Sequence, residues 1–579
     1  MKRAISLALC FALCASAAFT GCSQKTQTSG TSSSGGETQA ESSDDGLTPV
    51  GTYPITNQKI TVSIMVPAPS DSNTDYNTNA LTKELEERTN IHIDWQLVQS
   101  DFPEKVNLVV ASGEYPDVID TGAGKTSRIT KSTELQLGTQ KIIIPLEDII
   151  DEDMPNYKQL MDNDSGILRT LMTTPDEHIY NLAMINASYH TTYPEKMWIN
   201  TAWLDQLGLS MPTTPDEFEQ VLLAFKNDDP NGNGQADEIP LSTVKSGSNV
   251  NLDGFLMNAF TYTPASDDRL YLKDGKVTLS AVQSGYKEGL KYLNKLYEEG
   301  LINSESFTQD NKTQVNKNES GSAAVIGAFP ALRIGYACNL SPVNGVTSTR
   351  WQEYDAVPPL KGPDGLQVAS YDPYNGSYPE VYITKSCENP AAVCRMFDYI
   401  YSEEGTVRAN TGREGKEWEK ADADDVGYDG QPAKYKSITV DTTQTEYQNV
   451  SYGQLLPLGA TLQYCNEWAV PTDPYDSSIP ALSGRMVVFY NATKTYEPYS
   501  PGIDAVLPDL YYAESDVDQI SRQKTTINSY IDEQVTAFIT GKTDIDSGWD
   551  SYVSQLDSMG LQTYLDLMQK AYDNQYGTK

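Results

Sequence analysis

Basic residues and histidine are scarce in this chain: 42 Lys plus Arg and three His stand against 79 Asp plus Glu, a formal net charge of −37. So acidic a surface repels phosphate backbones and anionic bilayers, which excludes nucleic acid as a partner. His92, His178 and His190 are isolated along the sequence, and each reads as structural rather than catalytic. Cysteine is sparse as well. Beyond residue 22 only Cys338, Cys387, Cys394 and Cys465 occur, and their spacing specifies neither a metal site nor a redox pair, so two bridges and buried free thiols both remain open. Phenylalanine is rare, 12 against 36 Tyr, which shifts the aromatic content toward rings with a polar tip, suited to half-wet clefts. Long apolar runs are missing after residues 4–18, so no later segment is expected to cross a membrane.

That one run follows Lys2 and Arg3 and precedes Phe19-Thr20-Gly21-Cys22. It is too short for a mature spanning helix and resembles a bacterial lipoprotein signal peptide over residues 1–21, although Phe19 and Thr20 depart from the usual residues. The resemblance implies cleavage before Cys22, a lipid on Cys22, and a mature protein held at the extracellular face of the cell membrane. Residues 22–50 are Ser, Thr, Gly, Gln and acidic, with almost nothing to bury, and are expected to form a disordered tether.

The remaining length exceeds one ordinary core and predicts two or more lobes. Strand 60–66, helix 80–88, strand 91–98, helix 103–111 and the short strand Asp117-Val-Ile-Asp120 alternate as in a parallel sheet with right-handed crossovers. In such a sheet the ligand crevice lies beyond the carboxyl ends of the strands, which points to residues 67–72 and 120–126 as lining loops. Further along, Thr214 is placed to cap a helix with Pro215 in its first turn and Glu217 closing a capping box; Phe218, Val221, Leu222 and Phe225 form its buried stripe.

Directly after this helix comes Asp229-Pro-Asn231-Gly-Asn233-Gly-Gln235-Ala-Asp237-Glu238. Oxygen side chains two residues apart can turn inward around one hard cation, and Gly232 and Gly234 permit the tight backbone; Gln235 would offer its carbonyl, with Asp237 and Glu238 completing the shell. Pro240 occupies the position of the bidentate Glu of an EF-hand, so this is a related one-loop design. The alternative is a surface turn that binds nothing. Calcium here would be structural, since catalysis needs an open coordination position and a nearby base.

Several motifs in combination carry a family resemblance: Ala111-Ser-Gly-Glu-Tyr-Pro-Asp-Val-Ile119, Ile144-Pro-Leu-Glu-Asp148, Trp198-Ile-Asn200, Met211-Pro-Thr-Thr-Pro-Asp-Glu-Phe218, residues 229–241, Tyr286-Lys-Glu-Gly-Leu-Lys-Tyr-Leu293 and Pro358-Pro-Leu-Lys-Gly-Pro-Asp-Gly365. From about residue 55 onward the chain resembles the extracellular solute-binding proteins of family 1 that serve ABC importers, especially the lipoproteins related to alginate-oligosaccharide-binding proteins. The resemblance implies an α/β, two-lobe periplasmic-binding-protein-like fold (type II) joined by hinge strands, each lobe discontinuous: 51–185 with 331–402, and 186–330 with 403–579. It implies Ca2+ on Asp229, Asn231, Asn233, Gln235, Asp237 and Glu238. It also puts the loop holding Arg413, Glu414 and Trp418 at the cleft, near the hinge residues Tyr193 and Trp198, with Asp120 in the crevice and Phe255 where relatives often carry a tryptophan. The expected function is capture of an oligosaccharide or related solute by hinge closure, without catalysis, by a monomer that delivers it to ABC permease subunits. A secreted, anchored glycan hydrolase is the alternative and would need two carboxylates flanking a sugar bond, with no Gly-x-Ser-x-Gly motif to accompany them. A receptor for a peptide or lipid-linked solute is a further one.

Overall fold

The structure is a computed structural model that describes residues 46–577, apart from 70–73, 123, 125, 164–166, 267, 341–347, 375, 442, 454, 472 and 476–480. The leader, Cys22 and the tether up to residue 45 lie outside the described residues. The folded body already includes residues expected in the tether: Leu47 bridges to Thr56, and the Thr48 amide donates to the Ile55 carbonyl at 2.9 Å.

Two sheets organise the chain. The first contains β1 (Ile60–Pro67), β2 (Ile91–Val98), β3 (Val118–Asp120), β4 (Leu182–Asn186), and later β9 (Ser377–Ile383) and β10 (Gly459–Ala460), in the order β10-β4-β9-β3-β1-β2. The β1–β2 and β1–β3 pairs are parallel, as the strand–helix alternation requires, with α1 (Ala80–Thr89) and α2 (Phe102–Ser112) as the crossovers. Both faces are covered. Val62, Ile64, Val66 and Val118 point into one core, while Met65, Ile119 and Tyr382 point into a smaller one on the opposite face with Phe102 and Val106. The second sheet, in the order β8-β5-β7-β6, holds β5 (Met197–Asn200), β6 (Ile239–Leu241), β7 (Ile326–Pro330) and β8 (Tyr354–Val357). Around it is a separate core that takes in Trp198, Phe218, Phe225, Tyr286 and Leu290 of α5 (Ser284–Glu298), Phe329 and the C-terminal helices, including α7 (Glu514–Ile539) and α8 (Leu561–Tyr576).

The lobe boundaries differ from those expected. Residues 331–369 stay with the second core, because β8 pairs antiparallel with β5 and brings Trp351, Tyr354 and Val357 onto it. Residues from 377 to 464 return to the first, because β9 lies antiparallel between β3 and β4, and β10 then extends the same sheet beside β4. The C-terminal half of the second lobe therefore starts with the helix α6 (Ala481–Tyr496).

The helix α4 (Pro215–Asn227) forms as read, with the Thr214 hydroxyl accepting from the Glu217 amide at 3.2 Å and all four stripe residues buried. The return bond differs by one residue. The Glu217 carboxylate accepts from the amide and hydroxyl of Thr213, at 2.8 and 2.7 Å, rather than from Thr214. Cys338, Cys387, Cys394 and Cys465 are free thiols.

Candidate functional site

Two chain crossings run side by side between the lobes. Residues 186–193 leave β4, and residues 371–377 enter β9; the Asp372 amide donates to the Thr192 carbonyl and the Asn186 amide to the Gly376 carbonyl, at 2.9 and 2.8 Å. A Cβ on Gly376 would meet the Asn186 carbonyl oxygen at 2.1 Å, and its φ of +93° also favours glycine, so the crossings pack closely only because no side chain stands there.

Against these crossings lies a cavity of about 470 Å³ walled by both lobes. The first lobe contributes Arg128 and Lys131 at the start of α3 (Lys131–Thr139) together with Tyr378 of β9; the crossing contributes Tyr371, Asp372 and Tyr374; the second lobe contributes Asp268, Asp509, Tyr512 and Lys524. The Arg128 guanidinium stacks over the Tyr378 ring, 3.1 Å from its centroid, which fixes a flat polar platform. Lys524 donates to Asp268 at 2.8 Å, so that pair enters the wall neutral overall. Burial pushes the Tyr374 and Tyr378 hydroxyls up to about 12, so both stay protonated and able to donate. Rings with hydroxyl tips beside paired charges suit a ligand that has apolar faces and many hydroxyl groups.

Behind this wall, Asp120 and Glu380 are 1 % and 0 % exposed on neighbouring strands. Asp120 accepts from the Gly122 amide at 2.9 Å, and its other oxygen and both Glu380 oxygens have no hydrogen-bond donor from the rest of the protein. Desolvation raises both acids, Asp120 to about 7, and for Glu380 the charge on Asp120 adds to it. Both acids are therefore raised by the same burial, and Glu380, raised further, keeps its proton at neutral pH.

The expected ligand residues are dispersed. Tyr193 packs on the cavity residue Tyr371 at 5.2 Å between centroids. Asp120 lies under the cavity rather than on its surface. Trp198 is 0 % exposed, donating its indole N–H to the Ala331 carbonyl and packing on Phe489, while Phe255 is buried against Tyr496; both are core of the second lobe. The loop of Arg413, Glu414 and Trp418 belongs to the first lobe and does not line the cavity. Arg413 is held by Glu417 at 2.6 Å, Glu414 is exposed, and Trp418 packs on Tyr435 with its N–H given to the Gly412 carbonyl. The indole is a packing group rather than a stacking platform at the cleft, because its hairpin, Trp418–Lys420 with Tyr435–Ser437, folds onto Tyr464 and Trp468. Arg128, Tyr374 and Tyr378 line the cavity without a sequence motif of their own; the two tyrosines belong to the tyrosine-rich run Tyr371-Asp-Pro-Tyr374-Asn-Gly-Ser-Tyr378.

The loop of residues 229–238 closes on itself. Asn233 and Gly234 amides donate to Asp229 at 3.2 and 3.0 Å, and the Gln235 amide donates to Asn233 at 2.7 Å. Gly232 and Gly234 take φ of +66° and +74°, as the tight turn requires. Asn231 and Asn233 turn their NH2 groups onto Asp237 at 3.1 Å, and Glu238 has one buried oxygen with no partner. Burial, then Asp237 and Asp229, raise the Glu238 acid. Among the described residues no three Asp, Glu, His or Cys side chains gather tightly enough to form a metal cage by themselves. The donor set nevertheless fits a hard cation, since rotating either amide presents oxygen beside carboxylates that repel one another.

Among the described residues no helix is long and apolar enough to cross a membrane. The sequence model of the bacterial extracellular solute-binding proteins matches residues 69–407. Over 540 residues, 91% of this chain and 93% of the relative, the chain is 31% identical to the fructooligosaccharide ABC transporter substrate-binding protein FusA of Streptococcus pneumoniae serotype 4. The solved structure of FusA in complex with kestose aligns with 90% of this chain and 100% of its own, at 30% identity and a TM-score of 0.66. A FusA EF-hand mutant in complex with fructo-nystose aligns over the same shares at 29% identity and a TM-score of 0.66. The fold is also that of an HMO-binding, ABC-transporter-associated solute-binding protein from Bifidobacterium longum infantis, at a TM-score of 0.74, 24% identity and coverage of 90% of this chain and 100% of that one. With a family model spanning more than half of its length and a relative matched nearly end to end, the chain belongs to the bacterial extracellular solute-binding proteins.

Proposed function

We propose that this protein captures an oligosaccharide in the cavity between its lobes and delivers it to the permease subunits of an ABC importer, without chemical change to the sugar. The observation that carries this reading is a cavity walled by both lobes and floored by the chain crossings, with Arg128 stacked on Tyr378 and tyrosine hydroxyls around it. Pyranose and furanose faces stack on such rings while hydroxyl groups bond to the polar tips. The fructooligosaccharide binding named for FusA makes kestose the first ligand to try. In titration calorimetry kestose binds the full chain; Tyr378→Ala and Arg128→Ala each weaken it at least tenfold; and chromatography recovers the trisaccharide intact. No heat with kestose or longer fructooligosaccharides sinks this choice of ligand, and appearance of shorter sugars sinks the receptor reading.

The loop of Asp229, Asn231, Asn233, Gln235, Asp237 and Glu238 takes calcium as a structural ion in this reading. Support comes from the orphaned Glu238 oxygen and from the EF-hand named for FusA. When bound, the ion neutralises Asp229, Asp237 and Glu238 and stiffens the connection from α4 to β6. Anchoring through lipid on Cys22 keeps the monomer on the outer face of the membrane, and replacement of Cys22 by Ser releases it into the medium.

A further inference from the structure

Besides its chain crossings, the second lobe touches the first through the segment of residues 507–512, and this contact is polar and buried. Lys131 donates to the carbonyls of Asp509 and Leu171 at 3.0 and 3.1 Å, and its ammonium lies 4.5 Å from the Tyr511 ring centroid. The Tyr511 hydroxyl donates to Glu134 at 3.0 Å, and the other Glu134 oxygen accepts from Asn181 at 2.6 Å. Glu134 is 0 % and Tyr511 2 % exposed. Gln575 of α8 grips Tyr511 from behind, accepting from its amide and donating to its carbonyl at 3.0 and 2.9 Å, so the C-terminal helices move with it. Voids flank the contact. The 470 Å³ cavity, walled in part by Lys131 and Asp509, lies on one side; a second cavity of about 70 Å³, between Leu135 and Pro175 of the first lobe and Ile520 of the second, lies on the other.

We propose that Lys131, Glu134 and Tyr511 form an interlobe latch, a contact independent of the chain crossings that positions one wall of the cavity and sets the balance between open and closed lobes. Rotation of the lobes about the crossings would draw the 507–512 segment off α3 and break the Lys131–Asp509 and Tyr511–Glu134 bonds, leaving Lys131 and Glu134 only their bonds to Leu171 and Asn181 of the first lobe. The proposal rests on the reading that this cavity receives the solute. A receptor whose binding-competent form is less populated binds more weakly by that fraction.

Burial raises Glu134 to about 7, opposed by the bonds from Asn181 and Tyr511 and by the Lys131 charge; Tyr157, Asp176, Tyr180, Tyr382 and Asp509 are the other titratable groups turned toward this cluster. A carboxyl whose acid form is favoured in the latched state and released to solvent in the open state makes latching stronger at low pH, with the gain lost as pH rises through about 7. Glu134→Gln keeps a neutral group of the same shape, accepting from Asn181 and donating to Tyr511, and removes that dependence.

The test measures the radius of gyration by small-angle scattering and the kestose affinity by calorimetry, on the full chain at pH 5.5 and pH 8. Tyr511→Phe is expected to enlarge the unliganded protein and weaken kestose about tenfold, chiefly through faster dissociation. Unliganded wild type is expected to expand between pH 5.5 and 8, while Glu134→Gln stays compact at both. Tyr511→Phe with the dimensions and affinity of wild type overturns the latch, as does Glu134→Gln that expands with pH as wild type does. If wild type binds no kestose, the ligand reading fails by itself, and the scattering comparison still decides the latch.

Discussion

Two buried carboxylate clusters, one in each lobe, are held in opposite ways. In the second lobe Asp253 is 5 % exposed, yet its acid is held below the usual range, because Arg269 donates to it at 2.9 Å and the Tyr286 hydroxyl at 2.5 Å, which outweighs desolvation. Arg269 also reaches Asp532 of α7 at 2.9 Å, so one guanidinium ties the sheet-side loops to the C-terminal helices. In the first lobe, desolvation prevails at Asp120, Glu380 and Glu134, and all three acids are raised. A charge matched in place makes a rigid support, whereas acids left to hold protons sit where the lobes meet and where contacts must be able to change.

Breaking the matched pair should have the largest effect. Arg269→Met strands Asp253 and is expected to cost about 3–5 kcal/mol in urea unfolding; a loss below about 1 kcal/mol would show the pair is not what joins the helices to the lobe. Next is the unmatched acid. Because the folded pKa of Asp120, about 7, lies above its unfolded value of 3.8, the native state keeps a proton that the unfolded chain releases, so stability falls from about pH 4 to about pH 7 and levels off above. Asp120→Asn should flatten that part of the profile and, at pH 8, leave the first lobe more stable than wild type by on the order of 1–3 kcal/mol. A variant whose stability profile parallels wild type from pH 4 to 8 contradicts the raised Asp120 acid.

Outside both cores, the loop of residues 229–238 gathers Asp229, Asp237 and Glu238, and among the described residues no Lys, Arg or His is ion-paired with any of them. Calcium at about a hundred times its dissociation constant should stabilise the protein by about 2.7 kcal/mol, seen as a melting shift that chelator reverses and Asp237→Asn abolishes. Unchanged melting with and without chelator would leave the loop a plain turn. The smallest effect belongs to Glu414, exposed in a loop away from the cavity: Glu414→Ala should change stability by less than about 0.5 kcal/mol and kestose affinity by less than about twofold.

Elements with a local cause were legible. Strand β2, helix α4 with its Thr214 cap, and the stripe of Ile520, Ile527, Ile531 and Val535 follow from periodicity and capping chemistry within a few residues. The turn of residues 229–238 likewise needs only its own Asn, Asp and Gly. The lobe assignment of residues 331–369 and 377–464 was not legible, because strand pairing selects a partner hundreds of residues away and leaves no mark in the local pattern. The same holds for Trp418: an indole beside Arg413 suits stacking on a sugar as well as packing, and only the hairpin that places it on Tyr435 decides.

By itself, the sequence determined an acidic α/β chain with a tight Asp-, Asn- and Gly-rich turn at residues 229–238, since charge, hydrophobic period and turn residues act over short spans of chain. Tertiary structure alone decided which tyrosines wall the cavity and which carboxyls burial raises. Those properties come from burial and from partners brought together across the lobes, as Tyr511 is to Glu134 and Glu380 to Asp120, and no stretch of sequence contains both members of such a pair.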